Sequence, residues 1–221
     1  MSAPHAPWTI GGECVVAFVR RPRPVPDLPD GFRPLPGPHM VVAASYADSP
    51  VGPYLELGVA RPARLGARPG LCFTTMVVTS TDSRVGGRLN WGFPKELGTL
   101  RWSADGDERE LWWEERGIVL RGRPTGPALP VLAGLRSLQR RSDGPVVVPG
   151  RVRGRARWGR VEIKVPEGDA LAGLAGPHRG VVMGGMRLVV HPARSPRGLA
   201  STLRAPLRAP EPALSDSLPP A

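Results

Sequence analysis

Apolar and β-branched residues recur along the chain in short runs, separated by turns rich in proline and glycine. Glu13–Arg20 reads as a buried strand. Pro22–Pro38 carries seven prolines and no periodicity, and predicts a long extended loop. His39–Tyr46 and Tyr54–Ala60 predict two strands joined by the turn-rich Asp48-Ser49-Pro50-Val51-Gly52. Leu71–Thr79 is a further strand. Thr81-Asp82-Ser83 caps a short helix over Ser83–Trp91, which Gly86 and Gly87 weaken and Pro94 stops. Leu97–Ser103, Glu110–Glu114 and Gly117–Arg123 follow as an antiparallel meander, with Asp105-Gly106 as its hairpin signal.

In the second half, Leu129, Leu132, Ala133, Leu135 and Leu138 recur at helical spacing and predict a helix over Leu129–Arg140. Val146–Val165 is the most regular β segment. Arg151, Arg153, Arg155 and Arg157 share one parity, so a strand places all four on one face. Beyond Gly159 the apolar phase flips to Val161, Ile163 and Val165, which predicts a glycine bulge or a tight turn there. Leu171–Leu174 reads as a helical turn and Val181–His191 as a last strand. The pattern is mostly β (α+β), an antiparallel closed or cone-like β-barrel with a few short helices around a pocket. One domain is expected over 8–191, with 1–7 and 192–221 as disordered tails.

Composition narrows the compartment and the partners. Cys14 and Cys72 are far apart and make no Cys-x-x-Cys pair, which excludes a disulfide framework and a zinc site and fits a reducing, cytoplasmic location. His5, His39, His178 and His191 are scattered and have no metal-ligand spacing. No basic region followed by a long apolar run opens the chain, and no run is long enough to span a bilayer; neither a signal peptide nor a membrane segment is expected. The net charge of +11 comes from an arginine-rich, lysine-poor composition of the kind a GC-rich genome encodes.

Of the 30 basic residues only Lys95 and Lys164 are lysine. Arginine stays protonated, whereas a desolvated lysine can lose its proton and attack a carbonyl. Lys95 lies in Gly86-Gly87-Arg88-Leu89-Asn90-Trp91-Gly92-Phe93-Pro94-Lys95-Glu96-Leu97. This segment resembles the signature of the acetoacetate decarboxylase family: Gly-Arg-Glu, a short aromatic spacer, then Pro-Lys-Lys-Leu. The resemblance implies that family's fold over roughly Trp8 to His191. It also implies a Schiff-base role for Lys95 on a small β-keto acid, no metal or organic cofactor, and a homo-oligomer. The second lysine of the motif is Glu96 here. In a strand, adjacent residues point to opposite faces, so Glu96 can point away from the pocket.

Such an amine must be neutral to attack, so its pKa is expected to fall toward neutrality through burial or a neighbouring cation such as Arg88. Gly52-Pro53-Tyr54-Leu55-Glu56 resembles the family's Tyr-x-Glu segment and makes Glu56 the second catalytic candidate, for proton shuttling or substrate orientation. Arg88, Tyr54, Trp91 and Phe93 are the candidate substrate-binding residues. Two family features are missing: a second carboxylate falls near Val41, and the arginine thought to meet the substrate carboxylate falls near Glu13. Arg20, Arg61 and Arg88 are the available substitutes. The arginine strand could bind nucleic acid, but no helix-turn-helix, zinc finger or paired-aromatic RNA signature stands beside it, which argues for a solvated face. The expected function is a Schiff-base lyase of the decarboxylase type. The alternatives are imine-based aldolase or dehydratase chemistry on a larger keto acid, or a non-catalytic binding protein on the same fold. A buried Lys95 favours the enzymes and an exposed one the binder.

Overall fold

Strand β1 (Trp8–Val19) is buried on both faces. Its residues Trp8, Ile10, Cys14 and Val16 join one apolar cluster, and Val15, Ala17 and Val19 join another. Successive side chains of a strand point to opposite sides, so β1 is a wall between two cores. The structure is a computed structural model that describes residues 4–20, 22 and 27–196.

The strands that follow are β2 (Phe32–Pro34), β3 (His39–Asp48), β4 (Tyr54–Leu65) and β5 (Arg68–Val78). Helix α1 (Thr81–Trp91) leads into β6 (Lys95–Leu97), β7 (Leu100–Asp105), β8 (Glu108–Trp113) and β9 (Ile118–Pro124). The chain ends in β10 (Leu129–Arg141), β11 (Gly144–Lys164) and β12 (Gly176–Val190). The hydrogen-bonded order β10-β5-β4-β3-β1-β12-β11 closes on itself, because β10 also pairs with β11. The result is a ring of seven strands. Neighbours in it are antiparallel except at β5–β10. The first cluster lies inside the ring. The second lies on the other side of β1, under the meander β7–β8–β9, where Leu111, Leu120, Ile163 and Leu174 pack.

The mostly β reading and the meander hold, and three local expectations do not. Leu129–Arg140 is strand β10, not a helix. Pro130 and Gly134 are poor helix residues, and pairing with β11 from Leu129↔Ala156 to Arg141↔Gly144 satisfies the backbone instead. Val131, Ala133 and Leu135 then share one side of the strand and face the ring interior. Gly159 is neither a bulge nor a turn, since it pairs in register with Pro124 on one side and Gly180 on the other. The bulge falls between Arg153 and Arg155. The apolar phase flips because β11 leaves one core for the other: Val152 and Ala156 belong to the first, Val161 and Ile163 to the second. Gly159 is required for close approach, as a Cβ there would lie 2.1 Å from the Arg123 carbonyl oxygen. Finally, the segment after β1 is not loop throughout, because Phe32–Pro34 is a short strand that pairs with the end of β4.

The described residues run past both ends of the expected domain. Asn90 accepts from the Ala6 amide and donates to the Pro4 carbonyl, and Arg194 pairs with Val147. The expected tail beyond 196 lies outside the described residues. Arg151, Arg153 and Arg155 are exposed, and the half-buried Arg157 pairs with Asp107 and the Gly126 carbonyl. Among the described residues no helix is long and apolar enough to cross a membrane.

Candidate active site

Helix α1 starts at Ser80, whose hydroxyl accepts the Ser83 amide and caps the first turn. The cap therefore lies three residues before Ser83, which frees the Ser83 hydroxyl for other work. Ser83, Gly87 and Trp91 follow at four-residue spacing, share one helix face and are all buried. Gly92 ends the helix in the left-handed region (φ 71°), donating to the Arg88 and Gly87 carbonyls. A Cβ on Gly92 would lie 2.4 Å from the Arg140 carbonyl oxygen, so both the turn and the contact with β10 require glycine. The chain then enters β6, parallel to β5, with Lys95 opposite Met76.

Strand alternation separates the two residues of the motif. Lys95 is 4% exposed and faces the ring interior. Glu96 faces outward and pairs with Arg88, whose Nε donates to the Lys95 carbonyl at 2.7 Å. Arg88 thus braces the backbone of Lys95 from outside and does not line the cavity. This corrects the expectation of a substrate-binding Arg88, since the guanidinium is held by Glu96 on the solvent side.

The Lys95 Nζ lies 2.7 Å from Glu56 Oε2, donates to Ser83 Oγ at 3.0 Å, and stands 5.3 Å from the centre of the Tyr54 ring. Tyr46 donates to the other Glu56 oxygen at 3.2 Å, and its ring packs on Tyr54 at 4.8 Å between centroids. Lys95, from β6, and Glu56, from β4, are thus drawn together between α1 and the ring. Burial lowers the lysine pKa, but the Glu56 carboxylate and the Tyr54 hydroxyl outweigh it and hold the amine above its ordinary value. The expected depression is therefore absent. The position that could have carried a second cation points to solvent, and a carboxylate occupies the inner contact. Burial also pushes the Tyr54 hydroxyl up, and burial with Glu56 pushes Tyr46 well up, so both phenols stay protonated.

The cluster opens on a cavity of about 350 Å³ lined by all seven ring strands. Tyr54, Trp91 and Phe93 line it. Trp91 donates from Nε1 to the His191 carbonyl and meets Trp8 edge-on, and Phe93 meets Phe73 edge-on. Cys14 also lines it, with its thiol pushed up to about 12, mainly by burial. Arg20 and Arg61 do not. Glu13 projects to the other side of β1, where it accepts from Trp102 at 2.9 Å and Arg109 at 2.6 Å. Val41 belongs to the second core.

Three contributors escaped the sequence reading. Ser83 looked like part of a cap. Gly87 looked like a helix weakness, yet it gives the Lys95 side chain its path. Tyr46 had no local signal; only its register opposite Tyr54 brings it to Glu56. Among the described residues no group of three or more His, Cys, Asp or Glu side chains is placed to hold a metal ion.

A model of the acetoacetate decarboxylase family matches residues 11–149. No curated protein matches the chain. Among solved structures, an acetoacetate decarboxylase from Legionella pneumophila subsp. pneumophila str. Philadelphia 1 is 17% identical over 88% of this chain and 88% of its own, with a TM-score of 0.62. The enduracididine biosynthesis enzyme MppR, in complex with pyruvate, is 17% identical over 86% of this chain and 90% of its own, with a TM-score of 0.63. An acetoacetate decarboxylase-like enzyme from Sphingomonas wittichii RW1 is 18% identical over 86% of this chain and 92% of its own, with a TM-score of 0.61. At these identities the likeness is one of fold.

Proposed function

The chain belongs to the acetoacetate decarboxylase family, and from that premise we propose that it is a lyase that binds a keto acid as an imine on Lys95. The observation that carries the reading is the Lys95–Glu56 contact at 2.7 Å in the wall of an apolar cavity. A buried amine paired with a buried carboxylate is an unusual use of an interior, and its cost of desolvation points to chemistry. A non-catalytic binder would have no need to bury this lysine.

The resting pair is ammonium and carboxylate. The ammonium passes a proton to Glu56, and the neutral amine attacks the keto carbon. Glu56 returns the proton to the carbinolamine oxygen, water leaves, and a protonated imine remains. The bond to the substrate carboxylate then breaks, CO2 departs, and its electron pair moves into the imine to give an enamine. Protonation at carbon and addition of water release the ketone and restore the ammonium. Ser83 and Tyr54 hold the nitrogen in place and Tyr46 orients Glu56. The imine is the electron sink, so this route needs no metal or organic cofactor. The free, buried Cys14 and Cys72 fit a cytoplasmic enzyme. Family likeness favours a homo-oligomer.

One observation favours a second reading. Among the described residues no cation stands beside Lys95 to release its proton, because residue 96 is an outward-facing glutamate and Arg88 is paired with it. Without that cation a feature tied to decarboxylation is missing while imine formation at Lys95 is kept, and an imine also gives an enamine that attacks a second carbonyl instead of taking a proton. MppR has been captured with the condensation product of pyruvate and imidazole 4-carboxaldehyde. Aldol or dehydration chemistry on a larger keto acid is that reading.

Borohydride reduction with a panel of keto acids, from pyruvate and acetoacetate to longer chains, tests the imine. Lys95 is expected to carry the label by peptide mass mapping, and Lys95→Arg to abolish it. Label at Lys164, or none with any keto acid, overturns the proposal.

A further inference from the structure

The wall of the cavity says more about the substrate than its reactive end does. Four of the chain's five methionines, Met40, Met76, Met183 and Met186, line it. Methionine is flexible and polarizable, and it packs against apolar groups of varied shape. The polar side chains Lys95, Glu56, Tyr46 and Tyr54 gather where β4 begins. Along β4 the next positions facing the same way are Gly58 and Ala60, which are small. A Cβ on Gly58 would lie 2.9 Å from the Phe73 ring, so the glycine makes room for an aromatic wall. Phe18 and Met40 sit across from Ala60 in neighbouring strands. The apolar end is therefore four residues of β4 beyond Glu56, about 13 Å away at roughly 3.3 Å per residue.

The volume points the same way. At about 350 Å³, the space holds about a dozen water-sized groups at roughly 30 Å³ each, more than a four-carbon keto acid fills. It falls in the range of pockets that enclose larger organic ligands. Nor is there a second cation for a small acid to grip. Of the lining residues only Lys95 and Arg136 are basic, and Arg136 is exposed with its guanidinium on the Pro69 carbonyl at 3.3 Å. A short keto acid would place most of its polar surface against an apolar wall, with nothing but the reacting lysine to meet its charge.

We infer that the substrate is a keto acid with a long apolar substituent, an alkyl chain or aryl group that runs from Lys95 along β4 to the Phe18–Met40–Phe73 wall. This rests on imine formation at Lys95. The keto group sits at the amine, and the apolar body supplies the binding that a carboxylate-binding arginine would supply for a small acid.

The test compares acetoacetate, 3-oxohexanoate, 3-oxooctanoate and an aryl 3-oxo acid, by borohydride trapping and by kcat/KM for CO2 release, with the full chain. Each buried methylene is worth roughly fourfold, so the four more methylenes of 3-oxooctanoate should raise trapping efficiency by roughly 250-fold. Met40→Trp, which fills the far end, should lower trapping of 3-oxooctanoate far more than that of acetoacetate and so move the optimum to shorter chains. Val42→Phe, at the cavity-lining residue opposite Gly58 in β3, gives the same readout should the first variant fail to fold. Trapping of acetoacetate at least as efficient as that of the longer acids would overturn the inference and leave the imine standing. So would wall variants that do not shift the chain-length profile. Absence of any label at Lys95 across the series would overturn the imine reading itself.

Discussion

The side chain of Lys95 crosses helix α1 at Gly87, so closely that a Cβ on this glycine would lie 2.6 Å from Lys95 Cδ and 2.9 Å from Cε. The helix gives up a side chain so that the amine can reach Glu56 and Ser83. A lysine pressed against bare backbone has one route, and its nitrogen is positioned by that route as much as by its hydrogen bonds.

Gly87→Ala should therefore separate folding from function. Alanine is the better helix residue by about 1 kcal/mol, so α1 itself is not weakened. The methyl displaces Lys95, and a shift of about 1 Å at a reacting atom can cost on the order of a hundredfold. Thermal melting should stay within a few degrees of the parent while the borohydride trapping rate falls by at least tenfold. Unimpaired trapping would mean that Lys95 reaches the cavity by another path.

Glu56→Gln should reverse the pH behaviour of the site. In the parent, Lys95 has a folded pKa above its unfolded value of about 10.4. The ion pair's contribution is then complete below about pH 10.4 and is lost as pH rises through the higher folded value. Without the carboxylate only the Tyr54 hydroxyl still opposes burial, and burial, the largest influence, lowers the lysine. The variant should be less stable than the parent at neutral pH, by up to about 3–5 kcal/mol where the ammonium remains unpaired. It should regain stability as the pH rises and the amine is neutralised. Denaturant melts between neutral and alkaline pH check this, and parallel curves for the two proteins would contradict it.

Glu96→Lys restores the family's pair of lysines in sequence but not in space. The side chain at 96 is on the solvent side, against Arg88. The pH profile of trapping should stay where it is, and the only expected loss is the exposed ion pair, worth about 0–1 kcal/mol. A shift of the profile to lower pH would place residue 96 in the cavity.

Replacing Arg151, Arg153, Arg155 and Arg157 by serine should leave trapping unchanged. These side chains lie on the solvent side of β11, and neutral carbonyls and Asp107 already engage two of them. Tight, sequence-selective nucleic-acid binding at physiological salt, lost in this variant, would contradict a solvated face.

Lys95 and Glu56 were legible as candidates only through the segments that resemble the acetoacetate decarboxylase family, and strand alternation sufficed to send Glu96 outward. The sign of the Lys95 pKa shift was not legible. It depends on which of two residues reaches the amine, and β4 meets β6 only after the chain has passed through β5 and α1. Strand β10 was misread because Leu129, Leu132 and Leu135 carry a helical spacing although they are partly exposed. Pairing with β11, a long-range choice, decided the matter against the local pattern. The flip at Gly159 is visible in the sequence but its cause is not, since a single strand that serves two cores looks locally like a strand with a bulge.

The ring is closed unequally. β10 is bound to β11 along its whole length but meets β5 through one registered pair, Ser137↔Leu71. That junction is a seam. Local opening begins where few hydrogen bonds must break together, so amide protons at the β5–β10 junction should exchange well before those shared by β10 and β11. β11 is itself held by a long ladder to β12, so only the β10 side of the hairpin can swing away from β5 while the other ring strands keep their ladders. The chamber would thus breathe through its weakest joint, with Lys95 anchored on the side that stays still.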